Sequence, residues 1–261
     1  MLLQKNWDWS DWMTLQGKTI IVTGAGGGMG KTTVELLLKE GANVVGCDIN
    51  CSSLVDLEEN PRFLAYEGNL LDESTVHELF KETVSKFGTV DGLANVLGIA
   101  QSATPIDECS LEKYRKIMDV NMTSVFLTCR EAAKYMKKQK KGKIVNVGSV
   151  STTRPRPGLQ SYVASKGAVE SFSKALALEL APYQINVNVL HPGPADTNML
   201  GQFTEQGGNV DMTKKEIFEK SVPFGRLVKP LDVARSLLFL LSEDADMITG
   251  AILHVDGGRN I

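Results

Sequence analysis

Seven short apolar runs, rich in β-branched residues, recur along the chain at residues 19–23, 43–48, 63–66, 92–96, 143–147, 186–190 and 251–255. They show little alternation of apolar and polar positions, which is the pattern of strands covered on both faces. Between them, apolar residues recur three and four positions apart over about 29–40, 73–87, 111–139, 160–181 and 230–242, the spacing of amphipathic helices. Strands and helices alternate without a linker, a low-complexity stretch or a repeat shorter than the strand–helix unit. The expected fold class is therefore α/β, one doubly wound domain with a mostly parallel sheet of about seven strands and helices on both faces. Residues 1–16, with Trp7, Trp9 and Trp12, read as an N-terminal arm ahead of a domain spanning 17–261.

Composition narrows the class of partner. The 261 residues are 43% hydrophobic and 23% charged, with a net charge of -3. That balance argues against a nucleic-acid footprint, and no apolar run reaches membrane-spanning length. The basic run Lys137, Lys138, Lys140, Lys141 and Lys143 falls at a predicted helix end, where cations suit the helix dipole. The cysteines Cys47, Cys51, Cys109 and Cys129 are scattered and the three histidines do not cluster with them, so no metal site is expected. The chain reads as a reduced, cytoplasmic protein.

The candidate chemistry lies where predicted strands end. The first strand runs into Thr23-Gly24-Ala25-Gly26-Gly27-Gly28-Met29-Gly30, and a helix follows. Glycines there permit a tight turn and let backbone approach a pyrophosphate, while the helix start offers N–H groups to an anion. Asp48 closes the second strand, where a carboxylate accepts hydrogen bonds from ribose hydroxyls and repels a 2′-phosphate. No Arg or Lys precedes Lys31 in the glycine turn, so NAD is expected rather than NADP. After the third strand, Asn69 is placed to bond the adenine edge with Leu70 behind the ring. Asn95 ends the fourth strand and is divided between a cofactor contact and a capping role. Asn121 lies within the long helical pattern, a poor place for an Asn unless its side chain has a task. Ser149 follows the fifth strand. Tyr162 and Lys166 stand four residues apart, on one helix face. One unit charge about 4 Å from a phenol, at an effective dielectric of about 20, lowers its pKa by about 3.

Together these residues resemble the short-chain dehydrogenase/reductase family in its ordinary branch of about 250 residues, over about 17–258 of the chain. The resemblance rests on the glycine turn, Asp48, Asn95, Asn121, Ser149 and Tyr162 with Lys166. It continues through Pro192-Gly193, Ala195 and Thr197 to Ile248-Thr249-Gly250 and Val255-Asp256-Gly257-Gly258. One departure is Asn95-Val96-Leu97-Gly98, where the family usually has Asn-Asn-Ala-Gly. The resemblance implies a Rossmann fold and NAD-dependent hydride transfer to or from the carbinol or carbonyl carbon of a secondary alcohol or ketone. The implied catalytic residues are Asn121, Ser149, Tyr162 and Lys166. Those implied for the cofactor are Gly24, Gly28, Met29, Gly30, Asp48, Asn69, Leu70, Asn95, Tyr162, Lys166, Pro192, Gly193, Ala195 and Thr197.

In that scheme Tyr162 is the general acid/base, Ser149 holds the oxyanion, Lys166 lowers the phenol pKa, and Asn121 anchors a relay water. Residues at about 198–226 are expected to form a substrate lid, and a homotetramer or homodimer is implied. A sugar, cyclic alcohol, hydroxysteroid or 3-oxoacyl thioester would suit. Alternatives from the same residues are a non-catalytic dinucleotide-binding regulator or scaffold, an epimerase, and an enoyl reductase, although that relative spaces Tyr and Lys more widely.

Overall fold

The computed structural model describes residues 14–203 and 220–261. All seven expected strands form: β1 (Thr19–Thr23), β2 (Asn43–Asp48), β3 (Phe63–Glu67), β4 (Gly92–Asn95), β5 (Gly142–Val147), β6 (Ile185–Pro192) and β7 (Ile252–Val255). They make one sheet in the order β3-β2-β1-β4-β5-β6-β7, and every pairing is parallel. The order reverses between β1 and β4, so both strands open their carboxyl ends onto the same crevice, the usual ligand position in such sheets.

Helices α1 (Gly28–Lys39) and α6 (Pro230–Leu241) cover one face, where Val34 and Leu37 meet Ile20, Val22 and Val44. Helices α2 (Glu73–Phe87), α4 (Ser124–Gln139) and α5 (Gln160–Leu180) cover the other, on Ile21, Val45, Leu93 and Ile144. Adjacent strand residues feed opposite cores because side chains alternate across a strand. Burial on both sides removes the polar alternation.

Two expected boundaries change. Leu15 is not part of an arm: it is 1% exposed, belongs to the α1/α6 core, and its N–H donates to Glu40 O at 3.0 Å. The domain therefore starts before residue 17; Trp7, Trp9 and Trp12 lie outside the described residues. The helix expected over 111–139 is two helices, α3 (Leu111–Met118) and α4, joined by a π-helical turn at Asp119–Thr123. Ser124 Oγ donates to Val120 O at 2.6 Å, a backbone contact of the kind that bends helices. Of the expected lid, 204–219 lies outside the described residues.

Three of the five lysines in the basic run pair within the protein. Lys137 meets Glu179 at 2.9 Å, Lys141 meets Glu243 at 2.8 Å and Lys143 meets Asp246 at 2.7 Å. Among the described residues no helix is long and apolar enough to cross a membrane.

Candidate active site

At the carboxyl edge of the sheet, β1 turns sharply into α1. Gly24 adopts a φ of +69°, and a Cβ there would lie 2.7 Å from Leu97 Cα. A Cβ on Gly30 would lie 2.0 Å from Gly24 O, so strand, turn and helix pack backbone to backbone. Helix α1 starts at Gly28 with no acidic residue in its first turn, and the first N–H groups of a helix lack intrahelical acceptors. Opposite them stands Thr197, whose methyl carbon would be 3.6 Å from a Cβ at Gly28. This cradle of backbone donors, kept open by missing side chains, fits a pyrophosphate.

Asp48 braces the same turn. Its carboxylate accepts from Gly26 N at 2.9 Å and from Asn50 N at 3.2 Å, which leaves lone pairs for further donors. The nearest cation in the sequence, Lys31, is turned to Asp56 at 2.9 Å and Ser53 O at 2.7 Å.

One cleft collects Met29, Ser149, Tyr162, Lys166, Pro192, Gly193, Ala195 and Thr197. Tyr162 and Lys166 do stand one turn apart on α5, both buried. Ser149 is close enough to the Tyr162 hydroxyl to lower its pKa, and its Oγ is 2.6 Å from Ser151 Oγ. Lys166 Nζ donates to Val147 O at 2.9 Å, and Gly98 makes room for it, since a Cβ there would be 3.1 Å from that nitrogen.

The electrostatics differ from expectation. Burial holds the Tyr162 phenol above its ordinary value, opposed only by the Ser149 hydrogen bond. Burial also pulls the Lys166 ammonium down to about 8. The lysine is committed to a carbonyl and is itself easier to discharge, so these residues alone do not bring the phenol toward neutrality.

Asn121 sits in the π-helical turn, fully buried behind the cleft. Its Oδ1 accepts from Ile99 N at 2.7 Å, and its Nδ2 donates to Ile99 O at 3.1 Å and Ser165 Oγ at 3.0 Å. Ser165 donates in turn to Tyr162 O at 2.7 Å, so Asn121 ties the loop after β4 to the helix carrying the tyrosine.

Three of the residues expected at the cofactor have side chains engaged within the protein. Asn95 points into the protein, not into the cleft: its Oδ1 accepts from Thr23 at 3.2 Å and Thr128 at 2.9 Å, and its Nδ2 donates to Asn146 at 2.9 Å. Every strong site on that amide is used inside the fold. Leu70 is buried in the α2/α4/α5 core, and exposed Asn69 accepts from Leu71 N at 3.1 Å in a local turn.

The sequence reading passed over several neighbours. Gln101 Oε1 accepts from Tyr162 N at 2.8 Å, satisfying a first-turn donor of α5 that Leu159, at the cap position, has no side-chain acceptor for. Capping rules search adjacent residues, and this cap comes from a distant loop. Phe203 stacks edge-on against Tyr162 with ring centroids 5.0 Å apart. Arg154, Arg156 and Arg259 also line the cleft. The stretch Arg154-Pro155-Arg156-Pro157-Gly158, so close after Ser149, was a signal that could have found two of them.

Comparison with known proteins agrees with this geometry. A family model described as enoyl-(acyl carrier protein) reductase matches residues 24–260. The 3-oxoacyl-(acyl-carrier-protein) reductase FabG of Thermotoga maritima is 34% identical over 251 residues, covering 94% of this chain and 99% of that protein. A 2,5-dichloro-2,5-cyclohexadiene-1,4-diol dehydrogenase of Sphingobium indicum is 35% identical over 247 residues, 94% of this chain and 97% of its own. A crystal structure of a Brucella melitensis 3-ketoacyl-(acyl-carrier-protein) reductase complexed with NADH superposes with a TM-score of 0.88, at 37% identity, over 95% of this chain and all of that one. With a parallel doubly wound sheet, a glycine turn at its first crossover and Ser149, Tyr162 and Lys166 in one cleft, the chain belongs to the short-chain dehydrogenase/reductase family.

Proposed function

We propose that the protein is an NAD(H)-dependent oxidoreductase acting on the CH–OH or C=O group of a secondary alcohol or ketone. The carrying observation is that Tyr162 and Ser149 share a cleft with Lys166, Met29 and Thr197 at the mouth of the glycine turn. Backbone N–H groups at the start of α1 would hold the pyrophosphate, and Asp48 the adenosine ribose. Asp48 and the engagement of Lys31 elsewhere favour NAD over NADP.

When bound, the oxidised nicotinamide ring accepts hydride and adds a positive charge that favours the ionised phenol. Tyr162 Oη takes the proton of the substrate hydroxyl in oxidation and returns one in reduction. Ser149 Oγ donates to the substrate oxygen and keeps it beside the phenol. Lys166 supplies positive charge on the same helix face, and Asn121 holds the neighbouring loop in register, the place of a water relay from Lys166. Assembly as a homotetramer belongs to the same reading, supported by exposed apolar side chains on the long helices, among them Phe126 and Leu178.

The Tyr-Lys spacing favours carbonyl chemistry over the enoyl reduction named by the family model. The retained Ser149, Tyr162 and Lys166 favour an enzyme over a non-catalytic dinucleotide binder.

The test is Tyr162→Phe assayed against a panel of secondary alcohols and ketones by NADH absorbance. Turnover should fall at least about 100-fold, as expected for a general acid/base, with NADH affinity within about twofold of wild type. Undiminished turnover would remove Tyr162 from the chemistry.

A further inference from the structure

Ser149 and Tyr162 stand on two elements, the turn after β5 and the first turn of α5, so their spacing depends on what holds the start of that helix. The start has no cap of its own. Leu159 offers no side-chain acceptor, and the N–H of Tyr162 donates to Gln101 Oε1 at 2.8 Å, from a residue 61 positions earlier in the chain. A Ser, Asp or Asn at the cap position would satisfy a helix start locally. Here the acceptor comes instead from the loop after β4. Gln101 is 0% exposed, and only the oxygen of its amide can meet an N–H, so the bond fixes which way the amide faces. Its Nε2 is buried without a hydrogen-bond partner among the described residues. An unmet buried donor is unfavourable, and a cap serving stability alone has no need of one.

The same loop reaches Tyr162 from its other side. Ile99 exchanges two bonds with Asn121, at 2.7 and 3.1 Å; Asn121 Nδ2 donates to Ser165 Oγ at 3.0 Å, and Ser165 Oγ to Tyr162 O at 2.7 Å. Both backbone polar groups of Tyr162 are therefore held by side chains. The path Ile99, Asn121, Ser165, Tyr162, Gln101 closes on itself through Ala100. Two further bonds tie this loop to the start of α5: Gln160 Nε2 donates to Thr104 O, and Thr104 N to Gly158 O, both at 3.1 Å. A closed ring of buried hydrogen bonds leaves the backbone of Tyr162 little room to shift.

We propose that Gln101 is a positioning residue for the reaction. By holding Tyr162 N it sets how far the Tyr162 hydroxyl stands from Ser149 and from the substrate oxygen. It touches neither substrate nor cofactor, and it is not among the described residues lining the cleft. Misplacing a reacting group by about 1 Å is enough to cost about 100-fold in rate. The proposal rests on the oxidoreductase reading above and adds the residue that places its acid/base.

The experiment measures kcat, KM and NADH affinity with the secondary alcohol or ketone that wild type turns over fastest. Gln101→Leu, which has no acceptor for Tyr162 N, should lower kcat about 10- to 100-fold while KM and the NADH dissociation constant stay within about threefold. Gln101→Glu keeps an acceptor oxygen at the same reach and should recover most of that loss. In the Tyr162→Phe background, Gln101→Leu should slow the residual turnover by less than about twofold, because a residue acting through the hydroxyl has nothing left to position. A purely structural role would instead give an equal loss in both backgrounds, or a loss carried by KM and cofactor affinity. If Gln101→Leu does not fold, Gln101→Asn, one methylene shorter, carries the same measurements. An unchanged kcat, or an equal loss with and without the Tyr162 hydroxyl, overturns the proposal and leaves the oxidoreductase standing. Undiminished turnover by Tyr162→Phe alone sinks both.

Discussion

Lys166 is 3% exposed, and its ammonium donates to the Val147 carbonyl. A folded-state pKa of about 8 against 10.5 for the free side chain has a definite sign. Below about 8 both folded and unfolded chains carry the proton, and burying the charge costs the fold about 3 kcal/mol. Between about 8 and 10.5 the unfolded chain binds the extra proton, so stability rises with pH. Denaturation of the cofactor-free protein should show wild type gaining on Lys166→Met over that window, with a flat difference below it. A difference that shrinks with rising pH would mean a partner stabilises the ammonium. Asp48 sets a second residue-scale expectation. Asp48→Ala removes both the brace on Gly26 N and the repulsion of a 2′-phosphate. Titration of the two cofactors should show the NAD-over-NADP preference narrowing about 10-fold or more, mainly by weaker NAD binding.

At the scale of elements, the carboxyl end of β4 is tied to β1, β5 and α4 by one buried polar network centred on Asn95. Thr23, Thr128 and Asn146 all bond it, and Asn146 Nδ2 extends the chain to Ser173 Oγ at 2.9 Å on α5. Asn95→Ala leaves those groups without partners in a dry interior, at a cost of about 2–4 kcal/mol. Urea unfolding should show that loss, while the folded variant binds NADH near wild-type strength; the opposite pattern would return Asn95 to the cofactor site. The residue type and position were legible in the sequence, but not the direction in which the side chain points. Asn121 shows the same limit. Its oddity within a helical pattern was readable, whereas the π-helical turn that aims it at Ile99 depends on how α3 and α4 dock on α5.

For the whole molecule, two apolar layers sandwich one parallel sheet, and the N-terminal boundary is decided by packing. Leu15 fills the α1/α6 layer beside Ile20, Val34 and Leu237. Leu15→Ala should cost about 2–5 kcal/mol by the cavity it leaves, measured as a shift in the denaturation midpoint. A cost below about 0.5 kcal/mol would put Leu15 back in the arm. One leucine among polar neighbours carries no periodicity, which is why the boundary read two residues late.

Seven apolar runs without alternation, interleaved with five helical repeats, point to a parallel sheet covered on both faces, because crossover helices on each face bury such strands. Glycines at a strand–helix junction and a Tyr and Lys four residues apart on a helix are local facts, and local geometry places them. The tertiary structure alone decided which polar side chains turn inward, which loop caps α5 through Gln101, and which charges gather around Ser149. Those outcomes depend on residues far apart in sequence meeting at one edge of the sheet. There, burial raises the phenol and lowers the ammonium, and the four-residue spacing of Tyr162 and Lys166 does not encode how deeply the two are buried.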